Sequence, residues 1–291
     1  DLAAIRAEIL AMKASYEARL EALEQRLQEA QAAVAQAQNA AVQAPAAAPV
    51  AAAAPAPAAT GANAFNPAIS MVLGGSFNHL SKDPGDYRFQ GFVPPEGEIG
   101  PGARSFNLGE SELTLSANID PSFAGQATFA ITGENEVEVE EAYVRTRALG
   151  NGLNIKAGRF MSGIGYLNSQ HAHTWDFVDA PLAYQAFFGG QYKPDGIQAR
   201  WLAPLDTFLE FGVEAASGRN FPGNDRNKNG VGASTVFAHA GGDIGDSASW
   251  RAGLSWLRTG SAARGYEFEG IPNAFSGNST IWMADAVYKW A

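Results

Sequence analysis

Ser249-Trp250-Arg251-Ala252-Gly253-Leu254-Ser255-Trp256 and, after a polar Gly-rich stretch, Ser279-Thr280-Ile281-Trp282-Met283-Ala284-Asp285-Ala286-Val287-Tyr288-Lys289-Trp290 decide how this sequence is read. Side chains along a strand alternate between two faces. Trp250, Ala252, Leu254 and Trp256 then share one face, as do Trp282, Ala284, Ala286, Tyr288 and Trp290. Arg251, Asp285 and Lys289 take the other. An apolar face tipped with aromatics and backed by charge suits a strand crossing a membrane around a wet lumen.

The unit repeats upstream from residue 68. Ile69, Met71 and Leu73 alternate with Ser70 and Gly74; Leu113, Leu115 and Ala117 with Glu112, Thr114 and Ser116. Similar runs follow at 123–131, 142–148, 153–157, 197–201 and 209–215, while 232–242 is strand-like with ambiguous faces. With the opening pair this makes about ten strands. Short turns near 120–122, 149–152, 203–206 and 243–246 alternate with connections at 80–104, 160–194, 217–231 and 259–278 that are long, apart from a brief one at 133–136. Segregated loop lengths are the mark of outer-membrane barrels. The expected fold class is mainly β: an antiparallel transmembrane β-barrel over residues 65–291. In lipid an open sheet edge is forbidden. Ten strands would form a narrow barrel, and Trp290 is penultimate rather than terminal. The reading therefore expects a truncated chain within a larger barrel, with a complete ten-stranded barrel as the alternative.

Ahead of the barrel, Leu2, Ile5, Ile9, Met12, Tyr16, Leu20, Leu23 and Leu27 form a heptad-like seam with one stutter. Residues 1–40 are expected to be a coiled-coil helix, or a single amphipathic helix lying on a partner. Residues 41–64 are almost wholly Ala and Pro, a semi-extended linker. The loop pattern places the coil in the periplasm.

Composition narrows the function classes. The 291 residues include no cysteine, which removes disulfides, thiolate metal sites and cysteine catalysis. A charged fraction of 17% with 32 glycines is unlike a cytosolic enzyme. A net charge of −10 argues against nucleic acid as partner. No run of about 18 apolar residues exists for a transmembrane helix. A start at Asp1 fits a removed signal peptide or a trimmed chain.

Glu141-Ala142-Tyr143-Val144 followed by Leu153-Asn154-Ile155-Lys156-Ala157-Gly158-Arg159-Phe160 resembles the strand pair before the third loop of phosphate-selective-type porins. The segment from Asn168 to Pro181, with Asp195-Gly196-Ile197-Gln198-Ala199-Arg200-Trp201, is similar to a branch of porin-like proteins often labelled zinc-regulated or TonB-dependent receptors. The resemblance implies a larger barrel, built as a homotrimer in the bacterial outer membrane. Between Arg159 and Lys193 only His171 and His173 are basic, which departs from a lysine-rich phosphate constriction. A coil with an Ala/Pro linker is not a TonB-type plug domain.

Segment 160–194 is the functional candidate. Its aromatic content, with Trp175, Phe177 and Tyr184 beside Asp176 and Asp179, would be costly in water. It is expected to fold into the lumen as a constriction, the alternative being packing on a neighbouring subunit. His171, His173, Asp176 and Asp179 could hold a divalent metal, although their spacing matches no fixed zinc pattern; otherwise they are loop polar groups and no cofactor is implied. The expected pore lining is Arg145, Arg147, Lys156, Arg200 and Arg251 against Glu110, Glu112, Glu210, Glu214 and Asp285; mixed signs imply weak ion selectivity. No nucleophile elbow or phosphate loop is present, so no enzyme is expected. The readings weighed are a passive channel for small hydrophilic solutes or ions, a receptor for a metal or metal chelate, and a structural anchor carrying a periplasmic coil.

Overall fold

A computed structural model describes residues 67–87, 89, 91–92, 99–133, 136–147, 149–268 and 271–290. The chain divides into two units, Asp1–Ala58 and Ala59–Ala291. The expected coil at 1–40 and linker at 41–64 lie outside the described residues.

The fold is mainly β. Its strands are β1 (Ala68–Val72), β2 (Gly75–Asn78), β3 (Ser105–Leu108), β4 (Ser111–Asn118), β5 (Phe123–Ile131), β6 (Val137–Thr146), β7 (Leu153–Arg159), β8 (Asp195–Leu202), β9 (Phe208–Ala216), β10 (Ala233–Ile244), β11 (Ala248–Phe268) and β12 (Ile271–Trp290). Among the described residues the α-helix is α1 (Leu182–Phe188), between β7 and β8. Ten strands make one antiparallel sheet in the order β1-β4-β5-β6-β7-β8-β9-β10-β11-β12. Strands β2 and β3 form a separate pair. They prolong the β1–β4 hairpin past a one-residue slip, from Val72 opposite Glu112 to Gly75 opposite Leu108.

Two expectations are corrected. The sheet is open: β1 and β12 are its two edges and do not pair with each other. A closed barrel is therefore not what these residues form by themselves. Second, 259–278 is not a loop. Pairing of β11 with β12 runs from Ala248 opposite Trp290 to Phe268 opposite Ile271, with one irregularity between Ser261 and Arg264. Beyond Thr259 the side chains lose their polar–apolar alternation, while the backbone ladder needs none. The segment 232–242, expected to be strand-like with ambiguous faces, is β10, over Ala233–Ile244. Thr235, Phe237 and His239 are buried together, whereas Val236 is exposed.

The sheet's burial is inverted relative to a soluble protein. Glu112, Glu141, Gln198, Glu214 and His239, on the polar face, are all buried. Ile197, Val213, Leu254 and Trp282, on the apolar face, are 57%, 53%, 68% and 79% exposed. The covering on the polar face is segment 160–194. Its Ile164, Tyr184, Phe188 and Tyr192 pack with Ala216, Ala233 and Leu257 into one apolar cluster, so the core lies between segment and sheet.

Candidate functional site

The segment leaves β7 and returns to β8 through a narrow neck. Phe160 N donates to Pro194 O (3.2 Å) and Ser162 N to Tyr192 O (3.1 Å). Asn168 braces the neck: its Nδ2 donates to Ser162 O and Tyr192 O, both at 2.9 Å, and its Oδ1 accepts from Tyr192 N at 2.7 Å. Helix α1 ends at Gly189, whose φ of 67° lies in the left-handed region that glycine enters at little cost. Burial raises the Tyr184 hydroxyl to about 12, although it accepts a hydrogen bond from Leu167 N. Burial raises Tyr192 further still.

Three polar residues of the sheet receive the segment. Glu214 on β9 accepts from Ser162 Oγ (2.6 Å), Gly163 N (2.9 Å) and Gln198 Nε2 (2.7 Å). Glu141 on β6 accepts from Met161 N at 3.1 Å. Ser255 Oγ on β11 accepts from Gly165 N at 3.1 Å. Gly163 lies so close to the Phe237 ring that a Cβ there would strike it.

A second contact is charged. His171 Nδ1 lies 2.9 Å from Glu112 Oε2 and 3.0 Å from Glu140 Oε2, with Nε2 3.4 Å from Glu141 Oε2. His173 Nδ1 lies 2.7 Å from Glu112 Oε1, and its ring stacks on His171 with centroids 5.7 Å apart. Lys193 Nζ is 3.1 Å from Glu140 Oε1. Burial alone would lower the His171 pKa; hydrogen bonds to Glu112, Glu140 and Glu141 outweigh it and push it up to about 12. The structure thus joins His171 and His173 but not to the expected acids. Asp176 and Asp179 are exposed, and Asp176 lies within electrostatic reach of Lys289 instead.

The other expected lining residues lie in pairs or at the rims. Lys156 Nζ sits 4.1 Å above the Tyr143 ring and 4.0 Å from Glu141. Arg200 donates to Gln198 Oε1 at 2.9 Å and approaches Glu210 at 3.7 Å. His239 Nδ1 contacts Glu210 Oε1 at 3.2 Å and Arg251 Nη2 at 3.0 Å. Both Asp285 carboxylate oxygens, His239 Nε2 and Arg251 Nε are buried without a hydrogen-bond partner. Arg145, Arg147 and Glu110 are exposed. In the segment, Trp175 is half-buried against the apolar cluster and Tyr184 is within it, while Phe177 is 80% exposed.

Sequence reasoning missed Glu140, Ser162, Asn168, Ser255 and His239. Only Glu140 carried a signal, as the first of two consecutive glutamates that break the alternation of Val137-Glu138-Val139.

No protein-family profile matches the chain. It is 33% identical over 251 residues to an uncharacterized protein of Aquifex aeolicus (strain VF5), a match covering 78% of this chain and 52% of that protein. The chain thus spans about half the length of this relative.

Proposed function

We propose that the protein is part of the wall of a β-barrel channel in a bacterial outer membrane, passing small hydrophilic solutes or ions by passive diffusion, with segment 160–194 as its constriction. The observation that carries this reading is the inverted burial. Segment 160–194 covers the charged face of the sheet, whereas the apolar face has no cover among the described residues. Exposed apolar area on that scale needs an apolar solvent or partner. The aromatics support lipid. Trp256 stands opposite Trp282, and Trp250 opposite Tyr288. Six residues of strand separate the two levels along β11, about 20 Å at the usual rise, close to the roughly 25 Å apolar band of outer-membrane barrels.

In this reading β1 and β12 pair, directly or through further strands, because lipid tolerates no open edge. The short turns face the periplasm, and the barrel assembles as a homotrimer. The porin-like resemblance of residues 65–291 supports the same assignment. Planar-bilayer recording on the full-length protein tests it. Steady ohmic steps are expected. Absence of conductance from correctly inserted protein sinks the channel reading and leaves the structural anchor.

A further inference from the structure

We propose that Glu112, Glu140 and His171 form a binding site for a divalent first-row transition-metal ion, which fastens segment 160–194 to strands β4 and β6. One donor atom from each lies within 4.8 Å of the others. His171 Nδ1 is already 2.9 Å and 3.0 Å from the two carboxylate oxygens. An ion with tetrahedral bonds of about 2.0–2.1 Å sets its ligand atoms about 3.3–3.4 Å apart. The two histidine–carboxylate legs therefore need to widen by only a few tenths of an ångström to accept one.

The donor set fixes the class of ion. Imidazole with two carboxylates suits zinc and its neighbours, whereas calcium and magnesium prefer all-oxygen shells. Glu112 and Glu140 are 3% and 1% exposed, so an ion between them would be held away from bulk water. Their outer oxygens are already held: Glu112 Oε1 by His173 and Glu140 Oε1 by Lys193. Such outer partners orient metal ligands. On binding, the proton that His171 Nδ1 shares with the carboxylates leaves to solvent, and no redox change occurs. The ligands come from β4, β6 and the covering segment, so the site exists only while the segment is seated. Asp176 and Asp179 take no part. The inference stands on this geometry whether or not the sheet lies in a membrane.

Full-length protein stripped with a chelator is titrated with Co2+ and then Zn2+. Saturable binding of one ion per chain is expected, with Co2+ giving visible d–d bands that Zn2+ bleaches. Glu140→Gln and His171→Ala should each weaken binding by at least about 100-fold, because each removes a direct ligand. Asp176→Asn/Asp179→Asn should bind as the parent does. No saturable binding in the parent, or unchanged binding in both ligand variants, overturns the site and leaves an ion-pair cluster only. If the variants do not fold, anomalous diffraction from Co2+-soaked parent crystals decides. A peak bonded to Glu112, Glu140 and His171 supports the site, and a peak elsewhere only means adventitious ions and overturns it. Conductance is read separately, so failure here is distinguishable from failure of the channel reading.

Discussion

Glu140 and Glu141 are consecutive on β6, yet both side chains turn to the polar face, at 1% and 5% exposure. The cause is a β-bulge. Thr128 of β5 stands opposite Glu141 and Phe129 opposite Val139, leaving Glu140 as the extra residue. A bulge re-aims one side chain against the alternation. Deleting Glu140 should restore a regular ladder and keep the sheet folded, while removing one anchor each of His171 and Lys193. Far-UV circular dichroism should be unchanged, and cleavage by protease within 170–193 should speed up.

That bulge marks where the sequence stops being legible. Period-two alternation located the strands of the main sheet, since an apolar face must be continuous to be covered or to meet lipid. It could not show Glu140 pointing inward, because a bulge is a backbone event with no required residue. Nor could it show the β11–β12 pairing continuing beyond Thr259, where polar and apolar residues no longer alternate. The acids paired with the histidines were hidden for a third reason. Asp176 and Asp179 are near in sequence, but Glu112 lies 61 residues before His173, and only the fold brings it there.

Glu214 should be the strongest single fastening of segment 160–194. Glu214→Ala strands Ser162 Oγ, Gly163 N and Gln198 Nε2 in a buried site. Loss of hydrogen bonds to a buried charged group should cost on the order of 3 kcal/mol, read by denaturant unfolding. Glu214→Gln keeps a carbonyl acceptor and should lose less than half of that. If the protein conducts, Glu214→Ala should also raise its conductance.

Phe237 is 1% exposed, and Gly163 and Gly212 both approach its ring so closely that a Cβ on either would strike it. Gly212→Ala should therefore overpack the seam and destabilise by about 1–3 kcal/mol, despite replacing a weak strand former. Phe237→Leu in the same chain should recover part of the loss. A double-mutant cycle that finds the two substitutions additive would show that the ring and Gly212 are not coupled.

The buried tyrosines give a pH dependence. An unfolded tyrosine ionises near pH 10, whereas burial holds Tyr184 up to about 12. Above about pH 10 the unfolded chain therefore binds fewer protons than the native one, and stability falls as pH rises toward 12. Below pH 10 this group should contribute no pH dependence. Tyrosinate absorbance should show Tyr184 titrating late, with Tyr192, and Tyr184→Phe should remove one tyrosine's share of that late component. Titration of Tyr184 with the exposed group would mean that the segment is not seated on the sheet.

Leu254 separates a membrane face from an uncovered soluble one. It lies on the apolar face between Trp250 and Trp256, opposite Ala284 on one side and Ala238 on the other, and is 68% exposed. In water, Leu254→Lys would be close to neutral, since an exposed strand position tolerates either residue and the charge aids solubility. At the middle of a lipid-facing band, the same change should cost about 2–4 kcal/mol, falling toward zero near the interfaces. Urea unfolding in lipid vesicles, comparing Leu254→Lys with Trp282→Lys nearer the rim, should therefore show the larger penalty at Leu254. Equal and small penalties would mean that a protein surface rather than lipid covers this face.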